Sequence, residues 1–387
     1  MISPYYPAVT TVRPPLPSLT GMRFIAASMV VFTHVMLRLT PDRYVEGKGL
    51  GMFWQMTGNV GVSFFFILSG FVLTWAVRPG LARSAFWRKR ICKIYPNHLV
   101  TALLVVVLML GSGQAVELKT LIPNLLLIQS WFPDLHITFG INAVSWSLAC
   151  EVLFYLAFPL LYFWISRIPV ERLWVSAIAV TAAIWSIPVI ADLLMSDTPP
   201  PAPGMGYSAL QYWFTFAFPP TRCLEFVLGI MVARIVISGR WVKIGFLPTL
   251  AVFLVFGAGA LYAPGIYVAA PATMVIPLAL VIPMGAVADL RQTSTFLNGR
   301  VMVWLGEVSF ALYMVHLLVI MAGAELFRFS QTEDAPLYVA LLMVVPFMVL
   351  SVGTAWLLYR FVELPVMRKW SRARIIRPAV PVPTDVK

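Results

Sequence analysis

Apolar runs of the length needed to cross a bilayer, about 17 to 25 residues each, recur along nearly all of this 387-residue chain. No other feature limits its fold so sharply. Ten such runs are read, over about 21–38, 57–77, 95–113, 145–167, 173–194, 221–238, 244–262, 266–287, 307–326 and 336–361. With 60% hydrophobic and 11% charged residues and a mean hydropathy of +0.86, the chain is too apolar for a water-soluble domain. The fold class follows as all-α: a polytopic membrane protein of about ten transmembrane helices around an internal polar site. The stretch 117–131 is read as a candidate eleventh, re-entrant segment.

Charge placement supplies an orientation. With ten spans, 22 of the 28 Lys and Arg residues fall on the side shared by the two termini. The positive-inside rule then makes both termini cytoplasmic in a multi-pass protein of the cell membrane. The net charge of +12 is largely this topological bias, which argues against a nucleic-acid partner. Residues 1–20 hold five prolines and lack the pattern of a signal peptide, so they are expected to form a flexible cytoplasmic lead. Residues 21–366 are expected to form the membrane domain, and 367–387 a basic, Pro-rich cytoplasmic tail.

Ionisable groups inside lipid cost about 2.5 to 3.5 kcal/mol on insertion scales, so each is a functional candidate facing the protein interior. "RFIAASMVVFTH", residues 23–34, sets Arg23 and His34 eleven residues apart, close to three helical turns and roughly 16 Å along one face. Glu151 in "VSWSLACEVLFYLAFP" enters from the other side and comes out at the depth of His34. A neutral imidazole beside a carboxylate gains an oriented tautomer and raised basicity, which prepares a general base. The alternative for this pair is a hydrogen bond that ties two helices together. Ser147, Glu151 and Tyr155 follow i, i+4, i+8 and form one polar stripe, and Ser309, Tyr313 and His316 form another. For His316, substrate contact and structural hydrogen bonding both stay open.

The connection "RPGLARSAFWRKRICKIYPNH" carries six basic residues and no acid. Arg90 and Lys93, spaced i, i+3, are placed to clamp the phosphates of a donor, unless the loop merely meets lipid headgroups. Ser69 and Gly70 interrupt an aromatic run in "GVSFFFILSGFVLTW", where they serve either close helix packing or a channel lining. Cys92, Cys150 and Cys223 show neither CxxC nor His-paired spacing, so no disulfide framework and no metal site is expected. No GxSxG, Walker, HExxH or GxGxxG element is placed where its chemistry requires.

Seven stretches in this order resemble acyltransferase family 3, integral membrane proteins that move acyl groups from acyl-CoA to hydroxyls. They are Arg23 with His34, "FFFILSGF" at 64–71, the basic element before "IYP" at 94–96, "SWSLACEVLFY" at 145–155, "CLEFVLGI" at 223–230, "SFALYMVH" at 309–316 and "VELP" at 362–365. Lys93 stands where members often carry a second arginine, and a lysine holds phosphate as a point charge without the bidentate fork. The resemblance implies His34 as catalytic base with Glu151 orienting it, and Arg23, Arg90 and Lys93 holding the donor. Ser69, Ser147, Tyr155, Tyr313 and His316 are the expected substrate contacts.

The overall likeness is to macrolide 3-O-acyltransferases. It implies acetyl-CoA or propionyl-CoA as co-substrate, a hydroxylated small molecule such as a macrolide or sugar as acceptor, the lipid bilayer as surroundings and no permanently bound cofactor. The competing reading is a multi-helix transporter or flippase for a small polar or glycosylated substrate.

Overall fold

The structure, a computed structural model, describes residues 13–41, 49–78, 82–196, 207–242, 244–260, 271–329 and 333–370. Among these residues no strand occurs, and ten long helices follow the ten apolar runs one for one. They are α1 (Pro17–Leu39), α2 (Gly49–Trp75), α3 (Arg83–Gly111), α4 (Trp146–Ser166), α5 (Leu173–Leu194), α6 (Pro219–Ile237), α7 (Phe246–Ala260), α8 (Val275–Leu290), α9 (Arg300–Leu326) and α10 (Leu337–Leu358). Hydropathy marks only the lipid-embedded part of a helix, so α2, α3 and α9 begin several residues before the runs that predict them.

Among the described residues seven segments are long and apolar enough to span a membrane: α1 to α5, α9, and α10 with its continuation to Trp370. The other three depart for separate reasons. Helix α6 carries Arg222, Glu225 and Arg234 within its 19 residues, while α7 and α8 have 15 and 16 residues.

Two expected boundaries move. Helix α1 already starts at Pro17, inside the lead expected over 1–20, because proline at the first helical position gives up an N–H that would be unpaired anyway. Residues 1–12 of that lead lie outside the described residues. Of the expected tail, 367–370 belong to the short helix Leu364–Trp370, and 371–387 lie outside the described residues. The stretch around 117–131 adds no spanning helix. It folds into short pieces, Leu118–Leu125, Gln129–Trp131, Leu135–Thr138 and Ala143–Ser145, between α3 and α4.

Irregular backbone at depth needs protein partners, and side chains supply them. Asn124 Nδ2 donates to Ser145 Oγ at 2.9 Å, Gln129 Nε2 to the Ser145 carbonyl at 3.0 Å, and Asn142 Nδ2 to the Met314 carbonyl at 3.1 Å.

Helix α2 is the middle of the assembly, packed between α1 and α6, with α9 against the far side of α1. Bare backbone permits the α2–α6 crossing. A Cβ at Gly70 would stand 2.0 Å from the Phe226 carbonyl oxygen, and one at Gly229 would stand 2.0 Å from the Ile67 carbonyl oxygen. Neither contact can relax by a side-chain rotation, since the obstacle on each side is main chain. Gly229→Ala is therefore expected to force α2 and α6 apart and to cost roughly 1–3 kcal/mol, as overpacking does. A thermal unfolding midpoint in detergent no lower than wild type would show that the crossing has slack.

Candidate active site

The innermost polar contact joins α1 to α9. His316 Nδ1 lies 3.1 Å from the Leu312 carbonyl, His316 Nε2 lies 3.1 Å from His34 Nδ1, and His34 Nδ1 lies 2.9 Å from the Val30 carbonyl. Carbonyls only accept, so with both rings neutral the protons sit on the two Nδ1 atoms. His316 Nε2 then accepts from His34 Nδ1–H, and His34 Nε2 keeps its lone pair. That free nitrogen belongs to a ring lining a cavity of about 340 Å³. His316 itself is fully buried behind it.

The expected partnership of His34 with Glu151 is therefore corrected. Among the described residues Glu151 accepts a hydrogen bond from the Tyr155 hydroxyl at 2.9 Å, and it lines a second cavity, of about 150 Å³. The residue count puts Glu151 level with His34, but Glu151 lines the cavity at the Arg23 end of α1 while His34 lines the other, and α9 presents His316 to His34. His316, expected as a substrate contact, instead lines neither cavity.

The second cavity collects most of the predicted residues. Arg23, Ser69, Arg90, Lys93, Ser147, Glu151, Tyr155 and Tyr313 all line it. Helix α1 carries Arg23 at the end opposite His34. Helix α3 contributes Arg90, whose guanidinium carbon stands 5.6 Å from the ring centres of both Phe86 and Tyr155. A hydrogen bond of 3.0 Å from Trp87 Nε1 to the Tyr155 carbonyl fixes α3 against α4.

Lys93 is not a free cation. It is ion-paired with Glu363, which also accepts from Asn97 Nδ2 at 2.6 Å. Arg23 and Arg90 form no ion pair with any described residue, so they are the positive groups left to meet an anion. Three cations against Glu151 and Glu363 leave the cavity net positive.

The two cavities share Val62 and Tyr313. Tyr313 Oη donates to the Val144 carbonyl at 3.1 Å and stands 2.9 Å from Ser147 Oγ, so a pair of hydroxyls marks the partition. From the Arg23 end of α1 to His34, the two cavities together cover about three helical turns, or roughly 16 Å.

Sequence reasoning missed the groups that brace this site. Arg222 is fully buried on α6, with Nε 3.1 Å from Glu225 Oε2 and Nη2 donating to Ser63 Oγ at 3.2 Å. Its guanidinium carbon is 4.9 Å from the Phe66 ring centre and 5.8 Å from those of Trp146 and Phe216. Phe66 lines the smaller cavity, and Trp146 and Phe216 line the larger. Glu363 and Phe216 both ride on π-helical turns, Tyr359–Glu363 and Trp213–Ala217, a distortion frequent at functional sites. "CLEFVLGI" and "VELP" contained the carboxylates, but Ser63, which anchors the Arg222 paired with Glu225, lies about 160 residues from Arg222, and Lys93 lies about 270 from Glu363.

Residues 16–360 match the family described as an acyltransferase domain. The acyltransferase MdmB of Streptomyces mycarofaciens is 38% identical over 385 residues, covering 96% of each chain. The O-acetyltransferase OatA of Staphylococcus aureus is 23% identical over 392 residues, or 92% of this chain and 58% of that protein. No solved structure matches the chain.

The Lys93–Glu363 pair yields a stability test that is independent of chemistry. Glu363 is 2% exposed, and removing one partner of a buried pair typically costs about 3–5 kcal/mol. Lys93→Met should destabilise the folded protein on that scale in detergent, and Glu363→Leu added to it should recover much of the loss. A double variant as unstable as Lys93→Met alone would mean that the pair does not carry the charge balance.

Proposed function

This chain belongs to acyltransferase family 3, and on that premise we propose that it is an acyl-CoA-dependent O-acyltransferase. In this reading it moves an acetyl or propionyl group to a hydroxyl of a macrolide or a sugar. The observation that carries the reading is His34 itself: an imidazole with a free Nε2, held by His316 and lining one cavity, next to a second cavity furnished with Arg23 and Arg90.

In this reading the smaller cavity takes the donor. About 150 Å³ lies below the roughly 300–1,000 Å³ of pockets that hold drug-sized ligands, so it suits the acyl end of a pantetheine arm and not a nucleotide. The phosphates stay at the mouth, with Arg23 and Arg90 nearest and Arg78, Arg83, Arg88 and Lys89 beyond. The basic bias of that face supports a cytoplasmic entrance.

His34 Nε2 takes the proton of the acceptor hydroxyl, and the hydroxyl oxygen attacks the thioester carbonyl carbon. The Ser147 hydroxyl at the partition, held beside Tyr313 Oη, supplies a donor to the developing oxyanion. The C–S bond then breaks, and the CoA sulfur leaves with the proton that His34 had taken. His316 is a positioning residue that holds the His34 tautomer, and Glu151 balances charge in the donor cavity. Ser69 and Tyr155 meet the donor.

Purified protein should release free CoA and acylated product in equal amounts, with no ion gradient. His34→Ala should lower kcat by about 10²–10⁴, as loss of a general base does, while the protein remains folded. His316→Ala should lower kcat less, with the KM for acetyl-CoA unchanged. Arg90→Ala should raise the KM for acetyl-CoA in a salt-dependent way. If folded protein releases no CoA from several acyl-CoA donors, yet sealed vesicles accumulate the acceptor unmodified, the transporter reading replaces this one.

A further inference from the structure

The larger cavity has a chemistry of its own that the acyl-transfer reading does not use. At about 340 Å³ it is lined by seventeen of the described residues, none of them Asp, Glu, Lys or Arg. That is unusual beside a neighbour holding four charged side chains, Arg23, Arg90, Lys93 and Glu151. A charged group entering the larger cavity would lose its hydration and find no counter-charge, which is costly.

One wall is a ladder of aromatic rings. Tyr207 and Tyr212 stack with centres 5.7 Å apart and planes 18° from parallel, and Tyr212 and Phe216 stack at 4.9 Å and 15°. Phe216 in turn meets Trp146 at 4.5 Å, and the Arg222 guanidinium lies 5.8 Å from each of those two ring centres. The ladder is therefore held rigid from behind. At its outer end Gln55 Nε2 donates to the Tyr207 hydroxyl at 3.5 Å. His34 lines the same cavity.

We infer that this cavity is the acceptor site and that it selects an uncharged, hydroxyl-bearing ring. The apolar face of the ring lies on Tyr207, Tyr212 and Phe216, Gln55 hydrogen-bonds the polar edge, and one hydroxyl is turned to His34 Nε2. The inference deepens the acyltransferase reading and rests on it for the role of His34. A flat, pre-stacked aromatic surface favours the C–H face of a saturated ring and pays little ordering entropy on binding. The absence of a charged lining residue sets the selectivity against ionised rings.

The test measures binding without catalysis. The probe is a tritiated macrolide lactone with a free ring hydroxyl, equilibrated with the purified full chain in detergent and no donor. A carboxylated derivative of the same lactone is the competitor. Wild type should bind the lactone saturably and the carboxylate at least about tenfold more weakly. Tyr212→Leu and Gln55→Leu should each weaken lactone binding, Tyr212→Leu by about tenfold. Tyr212→Phe should bind as wild type, because the stacking face is kept. Thermal unfolding midpoints near wild type establish that the variants are folded.

Equal affinity for the neutral and carboxylated probes overturns the inference. So does an affinity that Tyr212→Leu leaves unchanged, or a failure of wild type to bind the lactone. CoA release from acetyl-CoA, followed in the same preparations, separates the two readings. Bound lactone with no CoA released sinks acyl transfer and leaves the site, whereas CoA release with an acceptor KM indifferent to Tyr212→Leu sinks the site and leaves acyl transfer.

Discussion

A charge or a hydrogen-bonding group placed in lipid has to be answered by another group of the same chain, and that constraint assembles this protein. Several polar intrusions are met across helices: Arg222 by Ser63, Glu363 by Lys93 and Asn97, His34 by His316. Because water is not available to substitute, each pairing fixes the rotation and depth of two helices at once. The site is in this sense a by-product of solvation. Of the helices paired in this way, α1, α2, α3 and α9 line the cavities together with α4, while α6 and the turn after α10 brace them from behind.

Much of this was readable before any coordinates. Hydropathy located all ten helices, since a run of apolar residues in a chain this oily has few other outcomes. The candidate residues were also found, because an ionisable group inside an apolar run is conspicuous by its cost. What hydropathy could not provide was azimuth. Glu151 lines the cavity that holds Arg23, Arg90 and Lys93, and the ring that meets His34 comes from α9. The bracing residues were harder still. Asn97, Arg222 and Glu363 matter through contacts made over long chain separations, and the aromatic ladder of Tyr207, Tyr212 and Phe216 exists only because a π-helical turn swings Phe216 inward. The short pieces between α3 and α4 were legible as an interruption but not as a shape, since side-chain amides and hydroxyls rather than apolar periodicity hold them.

The two cavities divide the chemistry by electrostatics. One is small and positive, the other larger and without formal charge, and a pair of hydroxyls stands between them. An anionic thioester and a neutral alcohol would thus be sorted before they meet, each disfavoured in the other's compartment by desolvation. In such an arrangement the imidazole meets its substrate in a space from which competing charged nucleophiles are absent.

The crossing of α2 and α6 has an evolutionary corollary. Gly70 and Gly229 allow no side chain at the contact, so drift in sequence there is arrested. Within a few turns of it, α2 carries Phe66 and Ser69 toward one cavity, and Gln55 and Asn59 toward the other. A hinge that cannot vary thus supports linings that can. A directed search for altered binding can exchange side chains around the ladder without touching that crossing, and would do well to leave those glycines alone.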